Sequence, residues 1–318
     1  MAHLVETMAY AGQVPWHGLG ERVPADLSPR QMMRKAGVDW EVHKVPTYAA
    51  MDDVDLIPTG ASALIRSTDN KVLSPMVGDN WEPVQNVEAF DFFTEYCAAG
   101  DMEMHTAGSL NDGKMVWALA KVNESFDVLG DDRVDSYLLF SNPHQYGKSL
   151  NVRFTPIRVV CNNTLTLSLS TKSKNEVALN HRRAFDPSMV KEQLGIAHEK
   201  FEVYKEASRF LASKRISKTD LITYMNNVFE FGKTKGREVT KYEDLPRTAK
   251  QAYDVLETQP GSNFAEGSFW QAFNAVTYLT DHELGRNADT RMQSAWFGVN
   301  QQRKVRAMNL ALEMAEAA

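Results

Sequence analysis

The stretch MEMHTAGSL-NDG-KMVWALAKV, residues 102–122, decides the fold. Two runs rich in apolar residues flank Asn111-Asp112-Gly113, and Asp-Gly is hairpin chemistry because both residues tolerate positive φ. Antiparallel strands are therefore expected over 102–110 and 114–122. Downstream, Val134 to Ser141 reads as a third strand and Leu150 to Val160 as a fourth, joined by a loop from Asn142 to Ser149. Upstream, Ala61 to Ser67 and Lys71 to Val77 read as a second hairpin with Asp69-Asn70 in its turn. Val38 to Tyr48 alternates as a strand, and Asp52 to Pro58 reads as an acidic loop. Ser28-Pro29 is an N-cap with proline at the first helical position, so a short helix should run to Ala36 and stop at Gly37. Asn86 is placed to cap a helix over 87–99, with Phe90, Phe93 and Cys97 as its apolar stripe.

Beyond Cys161 the periodicity turns helical. Helices are expected over 164–170, from Pro187 to Ser213, and over 220–231, 246–257, 268–283 and 301–318. Strands first and helices last define an α+β protein. The expectation is an antiparallel, hairpin-rich sheet followed by helices, with a helical C-terminal part. The chain divides into an N-terminal arm (1–25, rich in Gly and Pro), an α+β core (26–218) and a helical region (219–318).

Of 318 residues, 43% are hydrophobic and 24% charged, which supports an ordinary packed core. No apolar run approaches the roughly 20 residues that span a bilayer, so no membrane is expected. The first 20 residues lack a basic segment followed by an apolar one, which argues against a signal peptide. Two cysteines, Cys97 and Cys161, point to a reducing compartment, hence a bacterial-type cytoplasm.

Net charge is −6, but it is unevenly laid out. Residues 1–140 hold 10 Lys/Arg against 22 Asp/Glu, and residues 141–218 hold 14 against 6. A sign asymmetry of this kind marks either a surface for a polyanion or two parts that neutralise each other across an internal or subunit interface. The signal concentrates in residues 142–183, where Lys148, Arg153, Arg158, Lys172, Lys174, Arg182 and Arg183 face one acid, Glu176. His144 and Tyr146 are interleaved as candidate stacking groups, since cations meet phosphates and aromatic faces meet unpaired bases. Phe154 and Tyr137 read as core rather than as stacking platforms.

Arg158 enters an apolar dipeptide and therefore calls for a partner. Asn162 and Asn163 sit at a strand-to-helix junction, as a phosphate-binding helix start or as a plain cap. Cys161 is a nucleophile only with a base such as His144 or His181 beside it, and otherwise a structural thiol. Asn274, Tyr278 and His282 fall one turn apart with Trp270 before them, a polar face that lines a site or makes a helix–helix contact. Trp16-His17-Gly18-Leu19-Gly20 reads as a clamp or as an arm docked by its tryptophan. No zinc spacing, phosphate loop or dinucleotide fingerprint is present, so neither metal nor cofactor is expected.

Several of these stretches carry a resemblance. They are Pro15 to Gly20, Asn80-Trp81-Glu82-Pro83-Val84-Gln85-Asn86 with Glu88-Ala89-Phe90, Thr106 to Leu110, Arg158 to Leu165, and Asn274 to Tyr278 with Asp281-His282. On these the chain resembles the phage/plasmid-like protein family that carries the domain of unknown function numbered 932. Relatives often read Asn-Ser-His-Asp-Gly-Ser where this chain has Asn142 to Ser149, so the Asp is missing here. The order from Met102 to Ser170 is also similar, at fold level, to phage single-strand annealing proteins. The resemblance implies a phage or plasmid setting and a basic groove. Three functions follow as expectations. The first is a non-catalytic, homo-oligomeric single-stranded DNA-binding protein of annealing or recombination. The second is an enzyme on nucleotides or nucleic acid, with a pocket of Asn162, Asn163, Asn274, Tyr278 and His282. The third is an interaction protein that counters a host defence factor.

Overall fold

The structure, a computed structural model, describes residues 5–12, 19–51, 54–99, 101–158, 163–164, 188–230, 236 and 238–318. At 54, 95–96, 99, 163–164, 188–197 and 288–289 it describes the backbone alone. The chain forms two compact units. The first comprises residues 1–123, 137–153 and 168–197, and the second 124–136, 154–167 and 198–318.

The 102–122 hairpin is the centre of the first unit. Strands β6 (Met102–Leu110) and β7 (Met115–Asp127) pair antiparallel, from Leu110 opposite Met115 to Met102 opposite Val122. Asn111, Asp112 and Gly113 take φ of 52°, 60° and 81°, three consecutive left-handed residues. Asn, Asp and Gly are the residues that accept this conformation at least cost. Gly113 is also required by space, because a Cβ there would lie 2.6 Å from Nη1 of Arg66.

Residues 5–11 and 21–23 of the expected arm are strands. The first, β1 (Val5–Ala11), pairs antiparallel with β6, and β2 (Glu21–Val23) lies parallel to β1. Gly108 permits the close approach, since a Cβ there would sit 2.3 Å from the Thr7 carbonyl oxygen. On the other side, β8 (Arg133–Pro143) neighbours β7 and pairs with β9 (Asn151–Phe154).

Helix α1 (Pro29–Lys35) starts at Ser28, whose hydroxyl accepts from the Gln31 N–H while the Gln31 side chain accepts from the Ser28 N–H. The helix expected over 87–99 is two, α2 (Asn86–Asp91) and α3 (Thr94–Ala99). Phe92 and Phe93 explain the break. Adjacent helical residues point about 100° apart, and both rings are buried, each near Phe140 with centroids 6.2 and 6.1 Å away. Gln85 rather than Asn86 is the cap residue.

A second, smaller sheet holds β3 (Val42–Met51), β4 (Val54–Arg66) and β5 (Val72–Val77), in that order. Residues 54–58, read as acidic loop, are strand. At its base the alternation is regular: Val42, Leu64 and Arg66 are buried while His43 and Val45 are exposed.

In the second unit, β10 (Ile157–Arg158) pairs with Asp135 and Val134 of β8, and β11 (Asn163–Thr164) pairs with β10. The fourth expected strand is thus interrupted at Thr155-Pro156, where proline has no N–H to give a ladder. Asn163 and Thr164 are strand where a helix start was read, and residues 165–170 lie outside the described set. Helices α4 (Ser188–Ser213), α5 (Lys218–Phe229), α6 (Arg247–Asp254) and α7 (Phe269–Tyr278) lie close to the expected spans. The last continues as a π-helical turn over Leu279–Glu283. Then come α8 (Ala288–Phe297), which the periodicity did not reveal, and α9 (Val299–Ala317).

Aromatic rings fill the core of this unit. Phe126 meets Phe201 edge-on at 5.2 Å, Phe154 meets Phe201 at 5.8 Å, and Tyr204 meets Trp270 at 6.3 Å. Phe154 is fully buried, and Tyr137 of the first unit is buried too, as their sequence reading required. The architecture is α+β, with antiparallel hairpins and a helical C-terminal part.

Candidate functional site

Arg158 has the partner its sequence context demanded. Its Nε donates to Oδ1 of Asp132 at 2.5 Å and its Nη2 to Oδ2 at 2.9 Å, a two-pronged ion pair. The same guanidinium donates to the Gly261 carbonyl at 2.8 Å, and the Trp270 indole N–H donates to Asp132 Oδ2 at 2.8 Å. Both charged side chains are buried, at 4% and 0% exposure. A guanidinium held this way does not face a phosphate, so the phosphate-binding role expected of Arg158 is corrected to a structural one.

The cluster also explains Trp270, one turn before Asn274 on α7. Nothing in the periodicity marks Asp132, which ends the turn from Leu129, closed by its own N–H to the Leu129 carbonyl at 3.2 Å. Asn274 is buried, and its amide donates to the Trp270 carbonyl one turn back at 2.8 Å. Tyr278 and His282 are partly exposed and their rings stack at 4.7 Å, His282 falling within the π-helical turn. Tyr278 and His282 thus stay neighbours across the π-helical turn, whereas Asn274 is buried with its amide turned back onto its own helix. Asn162 lies outside the described residues, and of Asn163 only the backbone, in β11, is described.

That turn also supplies Asp281, buried with Lys304 of α9; Nζ donates to Oδ1 at 2.6 Å and neither side chain is exposed. Burial pulls the Lys304 ammonium below its usual range, opposed by the charge and hydrogen bond of Asp281. Asn300, one turn earlier on α9, donates to the Thr280 carbonyl at 3.3 Å. The pair fastens α9 to the turn.

His144 is fully buried. Its Nε2 lies 2.9 Å from Oδ1 of Asn86, while the Asn86 amide donates to the Val38 carbonyl at 3.0 Å. The amide nitrogen faces carbonyls, so Oδ1 is the acceptor and Nε2 of His144 carries the proton. The imidazole also meets the Trp40 ring edge-on at 5.3 Å. No face is left for a base, and the stacking role expected of His144 is corrected. Asn86 is likewise a core residue that ties the chain at Val38 to the start of the β8–β9 connection.

Two residues further on the environment reverses. Tyr146 is 59% exposed and Lys148 is exposed, on a turn closed by the Lys148 N–H to the Gln145 carbonyl at 3.3 Å with Gly147 at φ 73°. Arg153 is half-buried on β9. Lys172, Lys174, Arg182 and Arg183 lie outside the described residues, as do Cys161, His181 and the Trp16–Gly18 part of the arm motif. Cys97 is partly buried, and burial, with Glu103 nearby, pushes its thiol up to about 11.

A third polar centre surrounds Arg66. Its guanidinium takes both oxygens of Glu6, at 2.7 and 2.8 Å, and both of Asp69, at 2.8 and 2.6 Å. Arg66 holds the Glu6 carboxyl below its usual range and lowers Asp69 to about 2. Among the described residues no three His, Cys, Asp or Glu side chains form a metal-holding group, and no helix is long and apolar enough to cross a membrane.

Residues 74–305 match the model of Domain of unknown function (DUF932), and the chain belongs to that family. The match takes in every quoted resemblance except the Pro15–Gly20 stretch. No curated protein and no solved structure matches the chain.

Proposed function

We propose that this protein binds single-stranded DNA and promotes its annealing or recombination without catalysis, as a homo-oligomer in the cytoplasm of a phage- or plasmid-bearing host. The charge layout carries the reading. With Arg158 committed to Asp132, residues 142–183 still hold six Lys/Arg against one acid. The exposed Tyr146–Lys148 turn pairs an aromatic face with a cation, the two elements that single strands need. Lys148, Arg153, Lys172, Lys174, Arg182 and Arg183 would meet phosphates and Tyr146 a base.

Fluorescence anisotropy of a labelled oligonucleotide, titrated across salt, tests this. Affinity should fall steeply with salt, with a slope of about −0.7 for each phosphate neutralised on a single strand. Arg182→Ala with Arg183→Ala should flatten the slope by roughly 1.4 if each arginine meets one phosphate. Absence of binding at low salt, or a double variant with wild-type affinity, overturns the reading.

A further inference from the structure

Helix α4 turns one face inward in the second unit and leaves another open. Phe201, Tyr204, Ser208 and Leu211 are buried, three and four residues apart as one helical face requires. On the open side Val203 is 61% exposed, and Ala207 and Phe210 are partly exposed at the same spacing. Glu199 and Lys214 extend this stripe by one turn at either end. Glu199 is exposed, and Lys214 is partly exposed just past the last helical residue, Ser213. The order along the stripe is acid, valine, alanine, phenylalanine, base.

A lone exposed valine is ordinary on a protein surface, but the two charges that bracket this one stand apart from their neighbours. Lys205 pairs with Glu202, His198 Nδ1 lies 2.7 Å from Oε1 of Glu124, and Arg209 donates to the Asp127 carbonyl at 2.9 Å. Among the described residues Glu199 and Lys214 form no ion pair. Glu199 acts only on the charge of adjacent Lys200, and the Lys214 ammonium lies 5.5 Å from the centre of the Phe210 ring. Glu206, also exposed, borders the middle of the stripe. With Glu199 and Glu206 on it, this face repels a phosphate chain.

The stripe is its own complement. Glu199 and Lys214 lie equally far from the midpoint between Glu206 and Ala207, and so do Val203 and Phe210. A second α4 laid antiparallel across that midpoint sets Val203 against Phe210 and Glu199 against Lys214, twice by symmetry. One patch meeting its own copy is the form a two-fold interface takes. Parallel pairing would set Glu199 on Glu199 and Lys214 on Lys214, and like charges in contact are costly.

We infer that the Glu199–Lys214 face of α4 is a self-association surface, which takes the same face of a second copy of this chain in antiparallel register. This gives a contact surface to the homo-oligomer proposed above and rests on that part of the reading, not on DNA.

Sedimentation velocity of the full chain, free of nucleic acid, at micromolar concentration is the test. The wild-type chain should sediment as a dimer or larger. Val203→Ser with Phe210→Ser should weaken self-association by about 30-fold or more, the loss of a hot spot. Should that variant fail to fold by circular dichroism, charge reversal at the two ends reads the same contact. Glu199→Lys and Lys214→Glu should each sediment as smaller species than wild type. An equimolar mixture of the two should regain the larger species, and so should one chain carrying both substitutions. A monomeric wild-type chain overturns the inference together with the oligomer proposed above. Self-association unchanged in the stripe variants, or not restored when the charges are exchanged, overturns the inference alone. Stripe-dependent binding of an oligonucleotide with no stripe-dependent change in sedimentation also overturns it. Stripe-dependent self-association in a chain that binds no oligonucleotide upholds it and sinks only the DNA reading.

Discussion

Arg158 and Lys148 lie ten residues apart in one basic run and end in opposite surroundings. Arg158 is buried in the second unit, its guanidinium shared among Asp132, the Gly261 carbonyl and the ring of Trp270. Lys148 is exposed on a turn of the first unit beside an exposed tyrosine. A run of like charge in sequence is therefore not a surface. One member stabilises a fold, and another is available to a ligand. The difference lies in what the chain brings to each: Asp132 and α7 come to Arg158, and solvent comes to Lys148.

Removing the partner of a buried charge should give the largest effect on that contrast. Asp132→Ala leaves Arg158 buried and unpaired, which costs about 3–5 kcal/mol. The urea midpoint should fall accordingly; under the DNA reading, oligonucleotide affinity should change only through loss of folded protein. A variant as stable as wild type would mean that Arg158 is not buried in solution. Asp281→Ala should cost about as much for Lys304, whereas Asp281→Leu with Lys304→Met should recover most of the loss, because an apolar pair of similar volume is often neutral. A double-mutant cycle on thermal unfolding separates the two.

Arg66 is intermediate, since its partner Glu6 keeps partial exposure. The sign is set by a depressed folded-state pKa. Glu6 adds stability above the ordinary carboxylate range, around 4.3, and loses it as pH falls through its lower folded value. The wild-type chain should therefore lose stability below about pH 4.3, more steeply than Arg66→Gln does, as urea titrations at several pH values will report. The thiol of Cys97, raised to about 11, should react with a disulfide reagent at neutral pH far more slowly than a free cysteine does.

At the small end, Lys148→Ala and Tyr146→Ala should leave stability within about 0.5 kcal/mol of wild type, as substitutions on an open surface do. Under the DNA reading, Tyr146→Ala should still weaken oligonucleotide binding by about 1–3 kcal/mol of stacking. A stability loss larger than that bound would erase the contrast with Arg158.

Local chemistry made several elements legible. The Asn111-Asp112-Gly113 turn, the Ser28 cap and the placement of Phe154 in the core follow from backbone and burial preferences that act within a few residues. The Phe92-Phe93 break was legible only in part. Two adjacent large rings cannot share one stripe, but only the position of Phe140 shows that both are buried. His144 looked available because polar residues surround it in the chain. In space it faces Asn86, 58 residues earlier, and an amide whose orientation two backbone carbonyls have already fixed.

The sequence by itself determined the α+β order, the hairpin at 102–122, the charge asymmetry and the need of Arg158 for a counter-charge. Each of these is a property of neighbouring residues or of a sum. Only the tertiary structure decided which counter-charge it is, that His144 is interior while Tyr146 is not, and that residues 46–51 and 54–60 pair as a ribbon with apolar groups exposed on both faces. Those outcomes depend on contacts between residues far apart in the chain. Desolvation acts on the folded neighbourhood of a group and not on its place in the sequence.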